Sequence, residues 1–126
     1  MESIKKKIII VLEDERPLAR ALELKLTHEG FDVKVLSNGE DFESTLNSVN
    51  CQLIVCDMLM PRFDGFQVLQ LLKDKNIKIP VIVLTNLSQS EDEKRVRELG
   101  AVEFFIKSNT PISEVVEKIK QRIKTL

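Results

Sequence analysis

The stretch LIVCDMLMPRFDG, residues 53–65, runs through four apolar residues, places a carboxylate at Asp57, and then turns apolar again. Short β-branched runs of this kind, bounded by polar residues, are the pattern of a parallel strand covered on both faces. Two others match it, Ile8 to Leu12 and Val81 to Leu84. FDVKVLS, from Phe31, instead alternates apolar Phe31, Val33 and Val35 with Asp32 and Lys34, as a half-exposed edge strand would. Val102 to Ile106 is the second candidate edge.

Helical patterns separate these runs. Leu18, Ala21, Leu22 and Leu26 share one face; Phe42, Leu46 and Val49 share another; Ile112, Val115, Val116, Ile119 and Ile123 form a third. Asp14 and Asp64 stand at N-cap positions, Pro17 falls in a first turn, and Gly30 and Gly100 end their helices. QSEDEKRVREL, residues 89–99, offers only Val96 and Leu99 for burial, so this helix is expected to be lightly anchored. Its run EDEKRVRE reads as a solvated face with opposite charges at helical spacing.

Strict βα alternation with apolar central strands predicts an α/β fold, a doubly wound (βα)5 flavodoxin-like sandwich with right-handed crossovers. The order 2-1-3-4-5 places the amphipathic second strand at an edge and the three most apolar strands inside. A chain of 126 residues with 43% apolar content suits one such domain, burying about two-thirds of its unfolded surface. Nineteen basic residues against twenty acidic ones leave no general pull toward nucleic acid or an anionic membrane. The apolar run in MESIKKKIIIVLEDE is too short for a signal-peptide core or a membrane span, so a cytoplasmic protein is expected, with Lys5, Lys6 and Lys7 a solvated lead-in. Cys51 and Cys56 lack metal-ligand spacing and read as reduced structural thiols. The sole histidine, His28, suits the end of a helix better than a catalytic role.

Ligands of such sheets bind beyond the carboxyl ends of the strands. There the first strand ends in Glu13 and Asp14, the third in Asp57, the fourth in Thr85 and the fifth in Lys107. Each has a plain reading when taken alone: Asp14 a cap, Glu13 a solvated acid, Thr85 a strand-end hydroxyl, Lys107 a surface charge. Together they make an acidic crevice. Neighbouring carboxylates repel one another and call for a cation, and hard oxygen donors suit Mg²⁺. With the metal and Lys107 beside it, Asp57 could act as a nucleophile holding a phosphoryl group, hydrogen-bonded by Thr85.

At IVLEDE (10–15), LIVCDMLMPRFDG (53–65), VIVLTNLSQSED (81–92) and GAVEFFIKS (100–108) the chain resembles the receiver domains of two-component response regulators, from about Lys7 to Arg122. The resemblance implies a phosphorylation-dependent switch, not a conventional turnover enzyme. Asp57 would take phosphate from the phosphohistidine of a sensor histidine kinase or phosphotransfer protein. Asp14, Asp57 and the backbone carbonyl of Leu59 would ligate Mg²⁺, with Glu13 acting through water. Phe104, three residues before Lys107, would be the switch aromatic that follows Thr85 inward. The face formed by the fourth helix, fifth strand and fifth helix would then shift toward an unknown downstream protein target. The chain would be one receiver domain over 1–126, with a core of about 7–122 and no output domain, either stand-alone or cut from a longer protein. Most of the last helix's apolar face is expected in the core, the rest serving a monomer or weak homodimer.

Three positions depart from the family's pattern. Ser108 follows Lys107 where a cis-linked proline is common, leaving that peptide's geometry open. Asn86 follows Thr85 where a small residue is usual, and could narrow access to Asp57 or add a hydrogen bond. Leu59 and Leu87, two residues after Asp57 and Thr85, cannot orient a hydrolytic water, so slow self-dephosphorylation is expected. Other classes fit less well. EDERP would repel the phosphate of a flavin mononucleotide, and Leu59 stands where an aspartate-based phosphatase needs a second acid. A pseudo-receiver, docking partners without phosphorylation, is the alternative reading.

Overall fold

The computed structural model describes residues 6–124; Lys5 of the lysine lead-in lies outside them. Five strands, β1 (Ile8–Leu12), β2 (Asp32–Leu36), β3 (Cys51–Cys56), β4 (Val81–Thr85) and β5 (Glu103–Ile106), alternate with five helices. The helices are α1 (Arg16–His28), α2 (Phe42–Ser48), α3 (Gly65–Asp74), α4 (Ser90–Glu98) and α5 (Ile112–Lys124), with a short 3₁₀ turn at Lys107–Asn109. All pairings are parallel, and the sheet order is β2-β1-β3-β4-β5, as the apolar patterning predicts.

Alternation along each strand splits the core in two. Ile9, Val11, Leu53, Val55, Ile82 and Leu84 face a cluster completed by Leu22 and Leu26 of α1 and Val115, Val116, Ile119 and Ile123 of α5. Ile10, Leu12, Ile54, Cys56, Val81 and Val83 face the opposite cluster, completed by Phe42 and Leu46 of α2, Val68, Leu69 and Leu72 of α3, and Val96 of α4. Being apolar toward both layers, β1, β3 and β4 must lie inside the sheet. Every residue of β2 and β5 keeps some exposure, as befits its two edges.

Several boundaries differ from the sequence reading, each for a local reason. The α1 N-cap is Glu15, not Asp14, because Asp14 stays with the strand end and its carboxylate joins an acidic cluster. Pro17 does fall in the first turn. Asp64 caps α3 as expected, in a full capping box: its carboxylate accepts from the Gln67 N–H at 3.0 Å, and the Gln67 side chain accepts from the Asp64 N–H at 2.8 Å. Gly30 and Gly100 follow α1 and α4 with φ of +96° and +108°, a region that a residue with a Cβ rarely adopts. Phe31 precedes β2, and Val49 lies just past α2, half-buried against the core. Cys51 and Cys56 are buried free thiols, pushed above the ordinary cysteine value by burial first. No peptide bond among the described residues is cis, that between Lys107 and Ser108 included. None of the described helices is long and apolar enough to cross a membrane.

Candidate functional site

Because all five strands run parallel, their carboxyl ends share one edge, and the alignment of neighbours decides which side chains meet there. Leu12 aligns with Cys56, and the Asp57 N–H donates to the Leu12 carbonyl at 3.0 Å, which sets Asp57 beside Glu13. Thr85 aligns with Ile106, so Lys107 emerges next to the end of β4.

One oxygen from each of Glu13, Asp14 and Asp57 lies within 4.8 Å of the other two. Glu13 and Asp57 are each 3% exposed, whereas Asp14 faces solvent. The Lys107 ammonium inserts between the buried acids, 2.8 Å from Asp57 Oδ2 and 2.9 Å from Glu13 Oε1. The Leu59 N–H donates to the other Asp57 oxygen, Oδ1, at 3.0 Å, and the Glu15 N–H donates to Glu13 Oε2 at 3.0 Å. Asp57 is thus held from both sides, in a fixed orientation at the mouth of the sheet.

Burial is the main influence on Glu13 and raises its pKa from 4.5 to about 7. The Glu15 N–H and Lys107 pull it down, and the charge of Asp57 adds to the rise. For Lys107 burial works the other way, but hydrogen bonds and charge from Asp57 and Glu13 outweigh it and hold the ammonium above its ordinary value. Lys107 is therefore a permanent cation here. One cation facing three carboxylates leaves room for another, and the clustered hard oxygens with a solvent-facing Asp14 fit a divalent ion such as Mg²⁺.

The remaining residues singled out from the sequence divide by environment. Thr85 is fully buried, and its hydroxyl accepts from the Leu87 N–H at 3.4 Å. Phe104 aligns with Val83, is half-buried, and packs against the core that holds Val96 of α4. The side chain of Leu59 is open to solvent, 53% exposed, and Asn86 is exposed too. Leu87 turns inward instead and packs against the α2–α3–α4 core. Gly65 permits the approach of α3: a Cβ there would stand 2.5 Å from the Asp57 carbonyl oxygen. Two cavities of about 510 and 570 Å³ flank α3 and α4, and neither is lined by Asp57.

The sequence reading passed over Glu15. Its carboxylate lies 3.5 Å from the Lys107 ammonium although the side chain is 54% exposed. The signal was present as the third acid of EDE, but only the three-dimensional return of β5 puts a lysine within its reach.

Comparisons with known proteins bear on the family and the fold. Residues 9–120 match the model of the response regulator receiver domain. The probable transcriptional regulator ycf27 of Pyropia yezoensis is 34% identical over 126 residues, which is 100% of this chain and 49% of that protein. The chain thus spans about half the length of the curated relatives it matches. Among solved structures, the receiver domain of Francisella response regulator 1452 superposes with a TM-score of 0.89 at 27% identity, covering 95% of this chain and 98% of that one. The signal receiver domain of a signal transduction histidine kinase from Syntrophus aciditrophicus follows at a TM-score of 0.84 and 30% identity, covering 95% and 92%. The chain belongs to the response regulator receiver domain family.

Proposed function

We propose that the chain is a phosphorylation-controlled switch in which Asp57 accepts a phosphoryl group from the phosphohistidine of a histidine kinase or phosphotransfer protein. The observation that carries this reading is the fixed Asp57 carboxylate, buried beside two further acids with the Lys107 ammonium at 2.8 Å. In the transfer, a bond forms between an Asp57 oxygen and phosphorus while the phosphorus–nitrogen bond breaks, and the imidazole keeps the electron pair and takes a proton from solvent. Asp14, Asp57 and the Leu59 carbonyl would hold Mg²⁺, with Glu13 acting through water; the ion supplies charge neutralisation at the phosphoryl oxygens. Lys107, already a permanent cation, passes from the free carboxylate to a phosphoryl oxygen.

Thr85 supplies the readout. Its buried hydroxyl donates to the phosphoryl group as the β4 end draws inward, Phe104 follows into the space vacated, and the α4–β5–α5 face is re-presented to a downstream protein. Exposed Leu59 brings no group able to orient water, which favours a long-lived phosphoryl group.

Intact mass after incubation with Mg²⁺ and acetyl phosphate tests the reading. A gain of one phosphate in the wild type, lost in Asp57→Asn, is the expected result. A folded wild type that gains nothing from either acetyl phosphate or a phosphorylated phosphotransfer protein would overturn it in favour of a docking module.

A further inference from the structure

Glu15 occupies the N-cap position of α1, yet its side chain accepts no hydrogen bond from the helix it starts. Short side chains at this position, such as aspartate, reach back to the free N–H groups of the first turn, whereas the longer glutamate is free to turn elsewhere. Here the carboxylate turns the other way, to 3.5 Å from the Lys107 ammonium, while the Glu15 N–H fixes Glu13. Lys107 is thereby shared among three acids, two of them buried and one at the rim of the crevice. Glu13 and Asp57 are confined by burial. Glu15, 54% exposed, is the one of the three that can swing aside.

We infer that Glu15 is a positioning and donor-selecting residue for phosphoryl transfer to Asp57, an inference that rests on the function proposed above. Two effects follow from its place. It holds part of the Lys107 charge away from an incoming phosphoryl group until it moves out. It also sets a negative charge at the mouth, beside Asp14, which a small free dianion must pass with no docking surface to offset it. A protein-bound phosphohistidine carries similar charge, but a docking surface can offset the repulsion, so the rim carboxylate discriminates against small-molecule donors.

Donor charge provides the test. Phosphorylation rates are measured with acetyl phosphate, largely dianionic, and with phosphoramidate, whose net negative charge is smaller, for the wild type, Glu15→Gln and the charge-conserving Glu15→Asp. Glu15→Gln should accelerate the acetyl phosphate reaction roughly three- to tenfold, the scale on which one charge acts on a nearby dianion in a water-like medium. The phosphoramidate rate should change less, the acceleration, read at saturating Mg²⁺, should fade at about 1 M salt, and the Mg²⁺ concentration for half-maximal rate should rise, because the same rim charge attracts the ion. Glu15→Asp should keep the wild-type ratio between donors. Equal acceleration with both donors, salt-independent acceleration, or none at all overturns the role of Glu15 while leaving phosphorylation of Asp57 intact. A wild type that labels with neither donor nor a phosphotransfer protein removes the proposed function itself, and this inference with it.

Discussion

Helices α4 and α5 lie on opposite faces of the same sheet edge, and adjacent residues of β5 serve them: Phe104 packs into the core that holds α4, and Phe105 into the one that holds α5. α5 commits Val115, Val116, Ile119 and Ile123 to that core, whereas α4 commits Val96 alone. What α4 lacks in packing it has in local terms. Glu91, Asp92 and Glu93 sit in its first turn and Arg95 and Arg97 near its end, complementing the helix dipole, and Glu93 pairs with Arg97 at 3.0 Å one turn apart. A second anchor is the Arg95 guanidinium, 4.1 Å from the centre of the Phe66 ring on α3. One helix is therefore held by the core, and the other mostly by its own sequence. Of the two, α4 is expected to open first in hydrogen exchange.

The sharpest way to break this contrast is Ile119→Ala. Truncating a fully buried α5 side chain should cost about 2–5 kcal/mol of global stability in urea unfolding. Next comes pH, in protein kept metal-free with EDTA. With its folded pKa raised from 4.5 to about 7, Glu13 keeps a proton that the unfolded chain has already released. Its contribution to stability is therefore greatest at low pH, declines as pH rises from about 4.5 through about 7, and levels off above. The decline should be on the order of 2–4 kcal/mol and flatten in Glu13→Gln. Exchange-derived opening free energies of the buried α5 amides, expected to require global unfolding, should follow that decline, while those of α4 should not.

Smaller effects separate α4 from the rest. Val96→Ala should cost about 1–2 kcal/mol, with its α4 amides exchanging faster than any change in global unfolding explains. Phe66→Leu, which keeps an apolar side chain but removes the ring beneath Arg95, should cost α4 amides about 0.5–1 kcal/mol beyond any loss of global stability from the packing of Phe66 against the core. If α5 amides responded equally to either change, α4 would be as firmly tied as α5 and the contrast would be wrong.

That α4 buries little was legible in QSEDEKRVREL, because a helix with so few apolar residues has little to bury. So was the sheet order, since Ile8 to Leu12, Leu53 to Cys56 and Val81 to Leu84 are apolar on both faces and can only lie inside. Asp57, Glu13, Asp14, Thr85 and Lys107 could be placed at one edge by the same reasoning. What stayed hidden depends on contacts between distant segments. Nothing local says that Glu13 is buried and Asp14 exposed, or that Asp14 serves the acidic cluster while Glu15 takes the cap position. Leu59 and Leu87 look equivalent in sequence, yet one faces solvent and the other the core.

The Lys107 ammonium reaches back 94 residues to Glu13 and 50 to Asp57. Pairing of β1 with β3 therefore draws the acids together without the lysine, which joins them only when β5 is added to the far edge. A chain at that stage holds mutually repelling carboxylates, and closing the site waits on the sheet's last strand. The charge that faces the acidic cluster thus arrives with the sheet's last strand, and a chain interrupted short of β5 would carry Glu13, Asp14 and Asp57 without the ammonium that pairs with two of them.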